Sequence, residues 1–147
     1  MHDQPGKCGA EVLLVEDNPG DVRLTREALD ETGGSVGLNV VSDGIEALRF
    51  LRREAPYDNA PRPSLILLDL NLPKKDGREV LAEIKTDDDL KMIPVVVMTT
   101  SDAQLDIRRA YSLHANCYVT KPADFDAYVG LVQSIEEFWL STAKVPS

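Results

Sequence analysis

Leu65-Ile66-Leu67-Leu68-Asp69-Leu70-Asn71-Leu72-Pro73 runs from a wholly aliphatic stretch into a carboxylate and then into a turn closed by proline. An ionised carboxylate is costly to bury, so Asp69 marks the point where a strand that is apolar on both faces reaches the surface. Three other runs end in the same manner: Val12-Leu13-Leu14-Val15 meets Glu16-Asp17, Val95-Val96-Val97-Met98 meets Thr99-Thr100, and Tyr118-Val119-Thr120 meets Lys121. Amphipathic stretches lie between them. The periodicity predicts strands over 12–16, 36–41, 65–69, 94–99 and 117–120, and helices over 20–32, 44–53, 77–86, 103–113 and 123–140. Such alternation implies an α/β protein whose parallel sheet lies between helical layers joined by right-handed crossovers.

Local punctuation supports these boundaries. Asn18-Pro19 places a capping side chain and a proline at the start of the first helix, and Gly33-Gly34 ends it. Asp76-Gly77 opens the third helix, and Asp102 is placed to cap the fourth. Glu79, Glu83 and Lys85 read as solvated helix surface, and Glu54 to Pro63, with Pro56 and Pro61, reads as a surface loop.

With 147 residues, 43% of them hydrophobic, the chain suffices for one domain with a core. No apolar run approaches the ~18 residues a membrane helix needs, and Met1 to Lys7 lack signal-peptide character. A cytoplasmic location without membrane contact is therefore expected. Cys8 and Cys117 fit no metal-ligand spacing and read as reduced structural thiols. A formal charge of -9 repels nucleic-acid phosphates, which points to a protein partner and away from direct nucleic acid binding. Asp87-Asp88-Asp89 reads as a solvated loop.

Ligands of parallel α/β sheets gather outside the carboxyl ends of the strands, so Glu16, Asp17, Asp69, Thr99 and Lys121 should meet on one rim. Clustered carboxylates repel one another unless a hard cation joins them, and Mg²⁺ suits oxygen ligands while bridging to phosphate. A carboxylate beside Mg²⁺, a hydroxyl and a lysine is equipped to take up a phosphoryl group. Asp69 would be the nucleophile, Glu16 and Asp17 would hold the metal, and Thr99 and Lys121 would contact phosphoryl oxygens. Gly33-Gly34-Ser35-Val36-Gly37 lacks the Lys-Ser/Thr ending of a phosphate loop and follows a helix, so the phosphate comes from a donor other than a nucleotide bound here. Singly, each residue has an ordinary explanation as a loop acid, strand-end hydroxyl or surface charge. Their joint occurrence at four strand ends carries the reading.

Leu14-Val15-Glu16-Asp17, the Asp69 to Pro73 segment with Asp76-Gly77, Thr99-Thr100 and Lys121-Pro122 resemble the motifs of two-component response regulator receiver domains, over nearly the whole chain. The resemblance implies a single doubly wound (βα)5 flavodoxin-like three-layer sandwich with sheet order 2-1-3-4-5. The receiver domain would span 10–141, between an N-terminal extension (1–9) and a C-terminal tail (142–147). It further implies that Asp69 accepts phosphate from the histidine of a sensor kinase. Asp17, Asp69 and the Asn71 carbonyl would ligate Mg²⁺, Glu16 would act through water, and Tyr118 would be the switch aromatic. Such a protein is a phosphoacceptor and not an enzyme, catalysing only its own phosphorylation and dephosphorylation. More narrowly, Arg62-Pro63, the stretch 65–81 and Phe138-Trp139-Leu140 resemble small cyanobacterial response regulators paired with phytochrome histidine kinases, which lack a DNA-binding output domain.

Glu16 stands where many members have Asp, which preserves charge. His114 stands where many have Gly, and His tolerates positive φ better than most residues, so it is expected to end a helix. Thr100, larger than the usual Ala or Gly, is expected to restrict attacking water and slow dephosphorylation. Phosphorylation adds charge at Asp69 that Thr99 and Lys121 engage. In the family that movement lets the switch aromatic turn inward, biasing the face formed by helix 4, strand 5 and helix 5. On the last helix Phe125, Tyr128, Val129, Val132, Ile135 and Trp139 share a stripe expected to face the sheet, and Leu131 and Phe138 widen it. A homodimer through Leu131 and Phe138 is expected, against the competing reading of packing on helix 4. Two functional alternatives stay open: a pseudo-receiver that never takes phosphate, and a flavodoxin-like redox protein or aspartate phosphohydrolase. The acidic Asp17-Asn18-Pro19-Gly20-Asp21 disfavours a bound cofactor phosphate, and Asn71 stands where the hydrolase needs a second Asp.

Overall fold

Aliphatic strands that are buried on both faces send alternate residues into two cores. In β1 (Glu11–Val15) Leu13 and Val15 enter one cluster, while Val12 and Leu14 enter the other. Ile66 and Leu68 oppose Leu65 and Leu67 in β3 (Leu65–Leu68), and Val95 and Val97 oppose Val96 and Met98 in β4 (Val95–Thr99). A computed structural model describes residues 9–33 and 36–146; Cys8, Gly34 and Ser35 lie outside the described residues. Its remaining elements are α1 (Pro19–Glu31), β2 (Gly37–Val41), α2 (Gly44–Arg52), α3 (Gly77–Thr86), α4 (Gln104–Ser112), β5 (Cys117–Thr120) and α5 (Phe125–Glu137). All strand pairs are parallel, in the order β2-β1-β3-β4-β5. Helices α2, α3 and α4 cover the first cluster, and α1 and α5 cover the second. The fold is thus the expected three-layer sandwich. Among the described residues no helix is long and apolar enough to cross a membrane.

Several local expectations hold. Asn18 Oδ1 accepts from the Gly20 and Asp21 amides, and Asp76 and Glu79 form a reciprocal capping box at α3. His114, at φ 72°, follows α4, with its amide on Tyr111 O and the Ala115 amide on Ala110 O, a Schellman ending.

Other expectations need correction. Asp102 does not cap α4: Ser101 Oγ instead accepts from the Ala103 amide and donates to Asp106 Oδ2. The acids and lysine of α3 are not merely solvated, because Glu83 pairs with Arg52 of α2 and with Lys75, and Lys85 Nζ donates to the carbonyls of Lys91 and Ile93. Pro63 is buried, unlike the loop around it. α5 begins only at Phe125, since Asp124 caps it through the Ala127 amide, and Phe138–Thr142 forms a wider π-type turn. Phe125, at that first turn, is 59% exposed and does not face the sheet. The neighbour of α5 is α1 and not α4: Gln133 Nε2 donates to Ala28 O, and Tyr128 OH lies 3.4 Å from Thr25 Oγ1. This follows from topology, because α1 and α5 share one face of the sheet.

Gly77 closes the turn beyond β3. Its amide donates to Leu70 O at 2.9 Å, and a Cβ there would stand 2.3 Å from the Asp69 carbonyl oxygen. Gly77→Ala is therefore expected to lose about 2 kcal/mol through backbone displacement. Urea denaturation checks this, and an unchanged midpoint would show that the turn relaxes freely.

Candidate functional site

The sheet order places β1 beside β3, where connections leave toward opposite helical layers. This is the switch point at which doubly wound sheets bind ligands. Glu16 and Asp69 follow β1 and β3 directly, with amides that extend the ladder to Val41 O and Val15 O. They are only 3% and 8% exposed, whereas Asp17 is open to solvent. One carboxylate oxygen from each of Glu16, Asp17 and Asp69 lies within 4.8 Å of the others.

Lys121, just beyond β5, enters this cluster with its side chain 6% exposed. Its Nζ donates to Glu16 Oε1 at 2.6 Å, Asp21 Oδ2 at 2.9 Å and Asp69 Oδ2 at 3.0 Å. The remaining oxygens also accept: Asp69 Oδ1 from the Asn71 amide at 3.1 Å, and Glu16 Oε2 from the Asn18 amide at 3.1 Å. Burial pushes the Glu16 carboxyl up to about 7 against the opposing pull of Lys121. Burial alone would lower the Lys121 ammonium, but Glu16, Asp21 and Asp69 outweigh it and hold that group above its ordinary range.

Thr99 closes the rim from β4, and the Lys121 amide donates to its carbonyl at 2.7 Å. Its Oγ1 is buried with no hydrogen-bond partner among the described residues. Buried hydroxyls are rarely left unpaired, so this one is poised for an oxygen arriving at the rim. Lys121 pairs with Glu16, Asp21 and Asp69, and Asp17 adds a fourth carboxylate beside them, an excess of negative groups that suits a hard divalent cation. Asn71 lies on the adjoining turn, where its carbonyl could add a further oxygen.

The structure thus brings Glu16, Asp17, Asp69 and Lys121 together and sets Thr99 beside them. Tyr118 lies apart. Its hydroxyl donates to Ser101 O at 2.8 Å, and Ser101 belongs to a chain running through Asp106 to Arg78 (Nη2 to Oδ1, 2.9 Å) and Asp76. The Ser101 hydroxyl, and then Arg78, hold the Asp106 carboxyl below the usual carboxylate range. Leu131 packs against the α1–α5 core instead of pointing outward, whereas Phe138 is 52% exposed.

Sequence reasoning missed Asp21 as a site residue and missed the Arg78–Asp106 bridge. Asp21 carried one available signal. It stands in the first turn of α1, four residues beyond Asp17 of the acid pair.

The response regulator receiver domain family matches residues 12–133. Response regulator Rcp1 of Synechocystis sp. is 52% identical over 136 residues, covering 92% of each chain. The probable methanogenesis regulatory protein FilR2 of Methanothrix harundinacea is 43% identical, over 92% of this chain and 86% of its own. Among solved structures, the phosphorylated cyanobacterial phytochrome response regulator RcpA superposes with a TM-score of 0.91 at 56% identity, over 94% of this chain and 99% of its own. The Mn²⁺-bound form of Rcp1 gives 0.89 at 51% identity, with the same coverage.

Lys121→Met strips the ammonium from buried Glu16 and Asp69 and is expected to cost about 3 kcal/mol of stability, with millimolar Mg²⁺ restoring part of it. Chemical denaturation with and without the cation measures both effects. A variant as stable as wild type in chelator would show that other groups hold these carboxylates.

Proposed function

The chain belongs to the response regulator receiver family, and on that premise we propose that it takes a phosphoryl group onto Asp69 from the histidine of a sensor kinase, in a Mg²⁺-dependent reaction. The observation that carries this reading is the buried, unpartnered Thr99 Oγ1 beside an Asp69 already paired to Lys121. Asp69 Oδ2 attacks phosphorus as the bond from phosphorus to the donor's histidine nitrogen breaks, and the proton needed by the departing imidazole comes from solvent. Lys121 transfers its hydrogen bond from Asp69 to a phosphoryl oxygen, and Thr99 Oγ1 gains the partner it lacks. Glu16, Asp17, Asp69 and the Asn71 carbonyl would hold Mg²⁺, which when bound neutralises charge on the carboxylates and on the phosphoryl oxygens. The Mn²⁺-bound form of Rcp1 supports a divalent cation here.

The likeness to RcpA, a phosphorylated cyanobacterial phytochrome response regulator, supports a phytochrome kinase as the phosphoryl donor. The protein would work in the cytoplasm through protein contacts. Engagement of Thr99 by phosphate would shift the β4–α4 loop on which the Tyr118 hydroxyl rests, transmitting the change to α4, β5 and α5. A homodimer would form through the end of α5, where exposed Phe138 packs edge-on against Trp139 with ring centroids 5.3 Å apart.

With Mg²⁺ and either acetyl phosphate or a phosphorylated kinase, wild type is expected to incorporate label that Asp69→Asn does not. Equal labelling of the two would remove Asp69 as the acceptor. Sedimentation is expected to show Phe138→Ala more monomeric than wild type, and a monomeric wild type at micromolar concentration would exclude the dimer.

A further inference from the structure

Lys121 divides its ammonium among three carboxylates, and only two of them, Glu16 and Asp69, belong to the group that can close on a cation. The third, Asp21, is fixed from the side of α1. Its amide donates to Asn18 Oδ1 at 3.1 Å, and its carbonyl accepts from Thr25 Oγ1 at 2.8 Å. Each hydrogen of an ammonium can serve one acceptor, so the bond to Asp21 occupies a donor that would otherwise turn toward Glu16 or Asp69. A cation and the ammonium compete for those same oxygens and repel each other.

We propose that Asp21 is a positioning residue that draws the Lys121 ammonium toward α1 and so leaves oxygens of Glu16 and Asp69 available to a divalent cation. This rests on the reading of the rim as a Mg²⁺-dependent phosphoacceptor site. Asp21 acts through Lys121 and is not itself a ligand. Its role also extends to the phosphorylated state: when Lys121 moves onto a phosphoryl oxygen, Asp21 supplies the anchor that keeps the ammonium over the rim.

Calorimetric titration of the full, unphosphorylated chain with Mg²⁺ tests this without reference to phosphorylation. Asp21→Asn is expected to weaken binding about fivefold, the equivalent of one partly exposed ion pair, and Asp21→Glu, which keeps the charge and the reach, to recover most of the loss. In a Lys121→Gln background, Asp21→Asn is expected to change affinity little. An undiminished effect in that background would make Asp21 a ligand or a mere field source and overturn the proposal. A field effect also fades in molar salt, where the Debye length is about 3 Å, whereas the contact effect persists, so an Asp21→Asn effect lost in molar salt overturns the proposal even if the double variant fails to fold. Equal Mg²⁺ affinity of Asp21→Asn and wild type removes the role of Asp21 alone. Absence of cation binding by wild type removes the reading of the site with it.

Discussion

The ammonium of Lys121 is the group on which the rim depends. It joins the end of β5 to the ends of β1 and β3 and to the first turn of α1, drawing together residues more than fifty positions apart in the sequence. Glu16 and Asp69 sit beside aliphatic strands with almost no access to water, where isolated charges would be expensive. Even with Lys121 present, burial dominates at Glu16 and leaves its carboxyl near neutrality in its titration. The cluster is therefore held together but not fully compensated. That imbalance fits the proposed binding of a cation and a phosphoryl group at the rim.

Thr99 is the complementary element. All three hydrogens of the Lys121 ammonium are engaged by carboxylates, while Thr99 Oγ1 has no partner among the described residues. A phosphoryl group would bring three strong acceptor oxygens, one of which could give Thr99 Oγ1 the partner it lacks. The strand that ends in Thr99 continues into Ser101, which carries the Tyr118 hydroxyl and the Asp106 carboxylate, and Asp106 in turn reaches Arg78 at the start of α3. The loop after β4 is thus attached both to the start of α3 and to the α4 surface.

The sheet and the rim were legible because their signals are local and repeated: aliphatic runs buried on both faces, each ending in a polar group. Asn18, Asp76 and His114 were readable at element ends because each acts within a few residues of itself. What escaped were pairings between elements. Asp102 looked like the α4 cap, but Ala103 holds the N-cap position without a side-chain cap, and Ser101, hydrogen-bonded to Asp106, accepts from the Ala103 amide. Glu83 and Lys85 looked solvated, yet each meets a segment that sequence spacing does not reveal. Asp21 escaped for the same reason, since its significance lies in a lysine one hundred residues away.

The apolar stripe on α5 shows how topology divides one helix between a buried middle and two exposed ends. The stripe was expected to face the sheet, with a homodimer or packing on helix 4 taking up its excess width, but α1 covers its middle, where Tyr128, Val132 and Ile135 are buried. What stays exposed lies at the two ends. Phe125 stands beside the rim and Phe138 at the far end, roughly 20 Å along the helix axis at 1.5 Å per residue. A contact at Phe138 is too distant to touch the phosphoryl group or the Tyr118 hydroxyl. It can respond to them only if α5 shifts as a unit against α1, along the surface where Gln133 and Tyr128 meet Ala28 and Thr25. The proposed self-association through Phe138 and the proposed phosphorylation at the rim would therefore be separable, and the α1–α5 interface is the element that would have to move for one to control the other.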